Sequence, residues 1–243
     1  LVILKEKMDL IASLLEEASS FPSKLEEMFL LQKQLNDSTN GKNWELGLNK
    51  FNKEINWLRC IHMEVAELID STPWKHWKNI NSAPDMNNIH VELVDIWHFL
   101  MSYILQETNV PKAVSLVNTH CIYEAAQNID VNLIIKESEK LSYIALAIET
   151  KNMPSFSGIE RFIEQFFRAC KSAGLSFSWL QKLYIGKNCL NQFRQDNGYK
   201  EGTYKKVWNG SEDNVVMVEL LKIIEDVSFD ELYEQLKLKY NQN

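Results

Sequence analysis

Apolar residues recur along most of the chain at three- and four-residue intervals, the spacing of one face of an α-helix. Ile3, Leu4, Met8, Ile11, Leu14 and Leu15 mark a first helix over 3–17. Ser23 is placed to cap a second, which carries Leu25, Met28, Phe29, Leu31 and Leu35 and ends at Asn40-Gly41. A polar stretch over 41–53 holding Trp44 precedes a third helix, from about 54 to Asp70, that stops before Pro73. Asp85, following Pro84, opens a fourth that reaches about Glu107. Its run from Val91 to Leu105 is apolar on nearly every side, which predicts the central and most buried helix. Residues 112–150 hold one or two more helices, Pro154-Ser155 starts another that Gly174 ends, and 176–196 forms a further one closed by Asn197-Gly198. After a loop, Ser228 with Glu231 three residues on fits a capping box for the last helix. Strand-like alternation, internal repeats and low-complexity segments are not evident. The expected class is all-α, a multi-helix bundle with no significant sheet.

Composition agrees with long helices: eight Gly and five Pro in 243 residues are few for a turn-rich β protein. A formal net charge of −7 argues against general nucleic-acid binding, which needs a positive surface, but leaves room for a local basic pocket. Cys60, Cys121, Cys170 and Cys189 are scattered, as expected of reduced core residues in a cytoplasmic protein, with no disulfide frame or zinc site. The opening run Leu-Val-Ile-Leu is too short for a signal peptide or a membrane span, so no membrane association is expected. As the chain opens without Met, one or more preceding residues are expected to be missing.

Two acidic segments change the picture. In Glu64-Val65-Ala66-Glu67 and Glu92-Leu93-Val94-Asp95 the carboxylates sit at i and i+3, about one turn apart on one helix face. The surroundings are apolar: Ile61, Leu68 and Ile69 on one helix, Val91, Ile96 and Phe99 on the other. Burying several carboxylates there is costly unless a positive species neutralises them. Pro73 and Pro84 lie between the pairs, so the chain can turn back and two antiparallel helices can bring all four acids together. Four hard oxygen donors without a soft ligand describe a site for Mg2+, or Mn2+, and Mg2+ shares its shell with substrate phosphates, which points to phosphoryl or nucleotidyl hydrolysis. The plainer alternative is solvated charge on amphipathic helices. A sharper rival is a di-iron site, because Asp95 and His98 are also at i and i+3; it wants a carboxylate–histidine pair on each of two helices, and Asp70 stands where the other His would be.

From Tyr184 to Asn214 the chain turns basic. Lys187, Asn191 and Arg194 share one helix stripe, followed by Gly198, Tyr199, Gly202 and Tyr204 among Lys200, Lys205 and Lys206. Such cations can hold a triphosphate, and a glycine-punctuated loop can close over it; a charged surface loop is the alternative. Trp74, His76 and Trp77, and likewise Trp97, His98 and Phe99, follow the two acidic pairs and include rings on which a base can stack, or plain core aromatics, Trp97 above all.

Cys60-Ile61-His62-Met63-Glu64-Val65-Ala66-Glu67-Leu68-Ile69-Asp70-Ser71, with Pro73-Trp74-Lys75-His76-Trp77-Lys78, resembles the signature of the dimeric dUTPases, within the all-α nucleotide pyrophosphatase superfamily. Glu92–Phe99 resembles their second metal motif, Tyr184–Tyr199 their phosphate-binding segment and Leu31–Asn36 their uracil-contacting helix. The resemblance implies metal ligands at Glu64, Glu67, Glu92 and Asp95 holding Mg2+ (or Mn2+), more than one ion per site. Phosphate and sugar contacts fall on Lys187, Asn191, Arg194, Tyr199, Lys205, Lys206 and Asn209. Uracil recognition falls on Gln32 and Asn36, with stacking from Phe99 and the ring of His76, where some relatives carry Trp. It implies a homodimer that hydrolyses dUTP, and dUDP, to dUMP by attack of a metal-activated water on the α-phosphorus, with Glu64, or alternatively Glu67, as general base. The corresponding domain reading is an N-terminal helix over 1–22 of open packing and one all-α catalytic domain over 23–243, with core motifs at 28–107 and 176–214 and a variable helical insertion at about 108–155. A pyrophosphatase for another deoxynucleotide such as dCTP, and a non-catalytic helical interaction protein, are the competing readings.

Overall fold

The computed structural model describes residues 2–78, 82–121, 129–224 and 228–242, with side chains for all of these except 2–19 and 156. Within them run α1 (Val2–Asn40), a 3₁₀ turn (Trp44–Leu46), α2 (Trp57–Asp70), α3 (Met86–Glu107), α4 (Val110–His120), α5 (Val131–Glu149), α6 (Ser155–Ser172), α7 (Phe177–Asp196), β1 (Val207–Trp208), β2 (Ser211–Glu212), α8 (Asp213–Ile223) and α9 (Phe229–Asn241). The fold is all-α, with one small hairpin among the described residues.

α3 is the hub. Ile89, Leu93, Val94, Ile96, Trp97, Leu100, Met101 and Ile104 are all excluded from solvent, so apolar residues around its whole circumference meet neighbours. α2, α1, α7 and α6 pack on it. Trp97 is wedged against Phe166 (ring centroids 4.9 Å, planes 17° apart), Phe167 and Phe29, which makes it a core residue. α5 bridges α2 and α6, so the stretch expected as a variable insertion contributes to the same core.

Caps explain where the site helices begin. The Asp85 side chain accepts from the Asn88 N–H at 3.0 Å, the Asn56 side chain from Arg59 at 2.8 Å, and Ser176 and Ser228 act likewise for α7 and α9. Two expectations are corrected. The first two expected helices are one: α1 runs through Pro22, and the Ser23 hydroxyl donates back to the Ser20 carbonyl instead of capping a new start. The loop expected between Gly198 and Ser228 contains α8 and the hairpin, whose turn places Asn209 and Gly210 at φ 49° and 87°, the left-handed pair that an Asn-Gly hairpin turn requires. α8 packs closely on α7 because Gly186 lacks a side chain: a Cβ there would lie 2.6 Å from the Leu221 Cδ1. Among the described residues no helix is long and apolar enough to cross a membrane.

Candidate active site

α3 runs back along α2. The carbonyl of Ser71, at the end of α2, accepts from the Asp85 N–H at the start of α3 (2.9 Å), and the Asn88 side chain donates to the Ser71 hydroxyl (2.7 Å). One turn further along each helix the acids meet. Carboxylate oxygens of Glu64, Glu67 and Glu92 all lie within 4.8 Å of one another, and Asn88 donates to Glu92 at 3.0 Å. The fourth expected acid, Asp95, stands beside this trio, close enough for its charge to act on Glu64 and Glu92, but its Oδ2 is held by Lys187 Nζ at 2.7 Å.

The electrostatic consequence is large. Burial, then the charges of Asp95 and Glu92, push the Glu64 carboxyl up to about 8. Burial and Asp95 raise Glu92 to about 7, against the opposing pull of a hydrogen bond from Glu64 and the charge of Lys187. Carboxylates crowded in this way either keep protons or gather a cation. An all-oxygen donor set suits a hard divalent ion, and the residues fit one. Histidine does not join the cluster, as a di-iron site would need: His62 Nδ1 faces the Ser142 hydroxyl at 3.1 Å and His98 turns to α1.

α7 runs antiparallel to α3, because Lys187 faces Asp95 while Tyr184 faces His98, ring centroids 4.4 Å apart. Each helix therefore presents a stripe, Glu92–Asp95–His98–Ser102 on α3 and Tyr184–Lys187–Asn191–Arg194 on α7. Each stripe runs over eleven residues, ten steps or about 15 Å at the helical rise. Acids and cations occupy one end and neutral hydrogen-bonding groups the other.

At the neutral end, Gln32 and Asn36 of α1 are buried within a network that also takes in His98, Tyr184 and Ser102, the last not foreseen. Gln32 Nε2 donates to Ser102 Oγ (3.0 Å) and Asn36 Oδ1 (3.3 Å), and Asn36 Nδ2 donates to the same hydroxyl (2.9 Å). Ser102 in turn donates to the His98 carbonyl (2.8 Å). Gln32 Oε1 must then accept, from Tyr184 OH (3.2 Å) and from His98 Nδ1 (2.7 Å). Burial, aided by the charge of Lys187, lowers the His98 pKa to about 3, so the ring is neutral with its proton on Nδ1. Its Nε2 is a buried lone pair without a hydrogen-bond partner among the described residues. Ser102 lies on the stripe already marked by Asp95, and extending that stripe along the sequence would have found it. Phe99 is half-buried beside Trp57, ring centroids 6.1 Å apart, whereas His76 is exposed in the loop after α2 with its ring against Trp77.

At the charged end, Lys187 is only 3% exposed and Arg194 is also buried. Arg194 is gripped by Asp213, Nε to Oδ2 at 2.8 Å and Nη2 to Oδ1 at 2.7 Å, and Nη1 reaches Asn191 Oδ1 at 3.3 Å. Asn214 Oδ1 accepts from Lys187 (3.2 Å) and Arg194 (3.3 Å), setting the spacing of the two cations. Tyr199 is exposed with the Arg194 guanidinium 6.0 Å from its ring centre. Lys205 and Lys206 are exposed; their carbonyls fasten the loop by accepting from Trp208 Nε1 (2.7 Å) and the Asp213 N–H (2.9 Å). Asn209 sits at the hairpin tip. Asp213 and Asn214 carry no local motif, and neither was foreseen.

An all-α scaffold that gathers four carboxylates, Glu92 buried among them, opposite two buried cations and beside a neutral hydrogen-bonding network fits a class: enzymes that cleave nucleotide phosphoanhydrides with a metal. A family model described as dUTPase matches residues 24–199. The chain belongs to that family, the dimeric all-α dUTPases, and is a dUTP diphosphatase. The match spans all four acids, the Gln32–Asn36 pair and the α7 stripe; Lys205, Lys206, Asn209 and Asp213 lie beyond it. No curated protein matches the chain.

Proposed function

We propose that the enzyme hydrolyses dUTP, and dUDP, to dUMP with release of pyrophosphate or phosphate, its base recess lying at the Gln32–His98 end and its phosphate site at the Lys187–Arg194 end. The antiparallel stripes of α3 and α7 support this reading, because they carry a neutral hydrogen-bonding network and a pair of buried cations side by side. Glu64, Glu67, Glu92 and Asp95 would hold one or more Mg2+ (or Mn2+) ions. When bound, the cation neutralises the carboxylates, draws phosphate oxygens and acidifies a coordinated water. Lys187, which faces Asp95 at 2.7 Å, and Arg194 would hold the phosphates and take up the negative charge that develops as the phosphorus–oxygen bond breaks. Glu64 takes the proton of the attacking water, with Glu67 the alternative.

A specific observation favours uracil over cytosine. With Nδ1–H engaged by Gln32, His98 offers Nε2 as an acceptor. The N3–H of uracil satisfies an acceptor, and the N3 lone pair of cytosine opposes it, so a buried polar group is left unpaired with the wrong base. Two copies are proposed to pair, on family membership alone. Release of pyrophosphate from dUTP, dCTP, dTTP and UTP, measured side by side with Mg2+, tests the reading. A strong preference for dUTP supports it, and equal rates with dCTP overturn it.

A further inference from the structure

The segment that follows the family match supplies a fully buried carboxylate to the site. Asp213, at the first residue of α8, accepts four hydrogen bonds: from Arg194 Nε and Nη2 (2.8 and 2.7 Å), from Tyr204 OH (2.8 Å) and from the Asn214 N–H (2.8 Å). Those four fill the acceptor sites of an ionised carboxylate. Burying it is costly without such partners, and its charge cancels that of Arg194. The pair therefore adds direction to the site rather than net charge. The grip takes the Nε side of the guanidinium and leaves the Nη1 edge, whose bond to Asn191 is long at 3.3 Å. Behind the grip, Tyr204 is stacked on Tyr240 of α9 (ring centroids 5.4 Å, planes 10° apart), and the Tyr240 hydroxyl accepts from the Lys205 N–H at 3.4 Å. The last helix thus braces the loop that carries Tyr204.

We propose that Asp213 is a positioning residue for the reaction: it aims the Nη1 edge of Arg194 at the phosphate chain of the bound nucleotide, with Tyr204 and α9 as its brace. This rests on the hydrolase reading above, which puts phosphate at Arg194. The test compares inhibition constants for a non-hydrolysable imido analogue of dUTP and for deoxyuridine, with Mg2+ present, in the parent, Asp213→Asn, Tyr204→Phe, Arg194→Gln and the Asp213→Asn/Arg194→Gln double variant. Asp213→Asn is expected to weaken the analogue at least about 10-fold, the scale set by a misplaced binding group. Deoxyuridine, which has no phosphate, should change less than about 2-fold, and in the Arg194→Gln background Asp213→Asn should add less than about 2-fold, as for residues acting as one unit. Tyr204→Phe, which removes only a hydroxyl, should weaken the analogue by a smaller factor in the same direction. It carries the test if Asp213→Asn fails to fold, and an unchanged constant then overturns the proposal. Unchanged analogue binding in folded Asp213→Asn, or equal weakening of deoxyuridine, overturns the positioning role and leaves the hydrolase reading standing. A parent that neither binds nor hydrolyses dUTP overturns both.

Discussion

Replacing Lys187 by Met removes the cation that faces the acidic cluster while nearly preserving side-chain length. Lys187 Nζ lies 2.7 Å from Asp95 Oδ2. At that separation the attraction is about 6 kcal/mol for an effective dielectric near 20. Much of it offsets the cost of burying the ammonium, and breaking a buried pair from one side costs about 3–5 kcal/mol. Asp95 keeps 20% of its side-chain surface in water, which places the loss at the lower end, about 3 kcal/mol. For a chain of this size that is a fall in Tm of roughly 6–12 °C. The cluster left behind is short of positive charge, so a divalent ion should bind it more tightly than it binds the parent. Mg2+ at 100 times its Kd restores about 2.7 kcal/mol, nearly the whole loss. Thermal melts in chelator and across a Mg2+ titration check this. The variant should melt well below the parent without metal, gain more from Mg2+ than the parent gains, and still fail to hydrolyse dUTP once its stability is recovered. A variant that melts with the parent in chelator, or that Mg2+ does not rescue, refutes the coupling of Lys187 to a metal-holding cluster.

Ser102→Ala takes one shared acceptor from both Gln32 and Asn36. It should cost about 1–3 kcal/mol of stability for the orphaned donors and narrow the preference for dUTP over dCTP, read as the ratio of the two kcat/KM values. The metal-free protein should also lose stability as pH rises from 6 to 8. Glu64 and Glu92, raised to about 8 and about 7, keep protons in the fold that the unfolded chain has already released above its ordinary value of 4.5, so each proton lost on the way up weakens the folded state. Melts in chelator at the two pH values check this; a flat profile, or a Mg2+ gain no larger at pH 8 than at pH 6, counts against it. Trp97→Ala, deep in the core and outside the chemistry, should cost about 3–5 kcal/mol in urea unfolding while changing the dUTP/dCTP preference little.

What could be read from the chain in advance was whatever depends on neighbours within a turn or two. Apolar periodicity and the Asp85 cap placed α3, and the i, i+3 spacing of Glu64–Glu67 and Glu92–Asp95 marked the acids before any tertiary contact was known. Continuity of α1 was hidden because Pro22-Ser23 reads as a helix start, whereas Leu25, Met28 and Phe29, all excluded from solvent, hold the second half of α1 in the core whatever precedes it. α8 was hidden because Val215, Val216, Met217, Val218, Leu220 and Leu221 form an almost unbroken apolar run, in which a helical period is hard to see. The hairpin strands, two residues each, are too short to alternate. Arg194 was legible on its stripe, but its grip by Asp213 joins residues nineteen apart through a turn, a hairpin and a helix start. His98 was visible both as a ring beside the second acidic pair and, from its spacing to Asp95, as a rival metal ligand; its contact with Gln32 of α1, sixty-six residues away, was not legible.

The most direct measurement is the rate of dUMP formation from dUTP with Mg2+ by Glu64→Gln against the parent, both confirmed folded by their melting curves. If the acids of α2 and α3 form one working site with the cations of α7, the parent turns over only with the metal present, and the variant falls by about 10²–10⁴-fold, the range for a lost proton acceptor. A Glu64→Gln enzyme that matches the parent would contradict the account at its root.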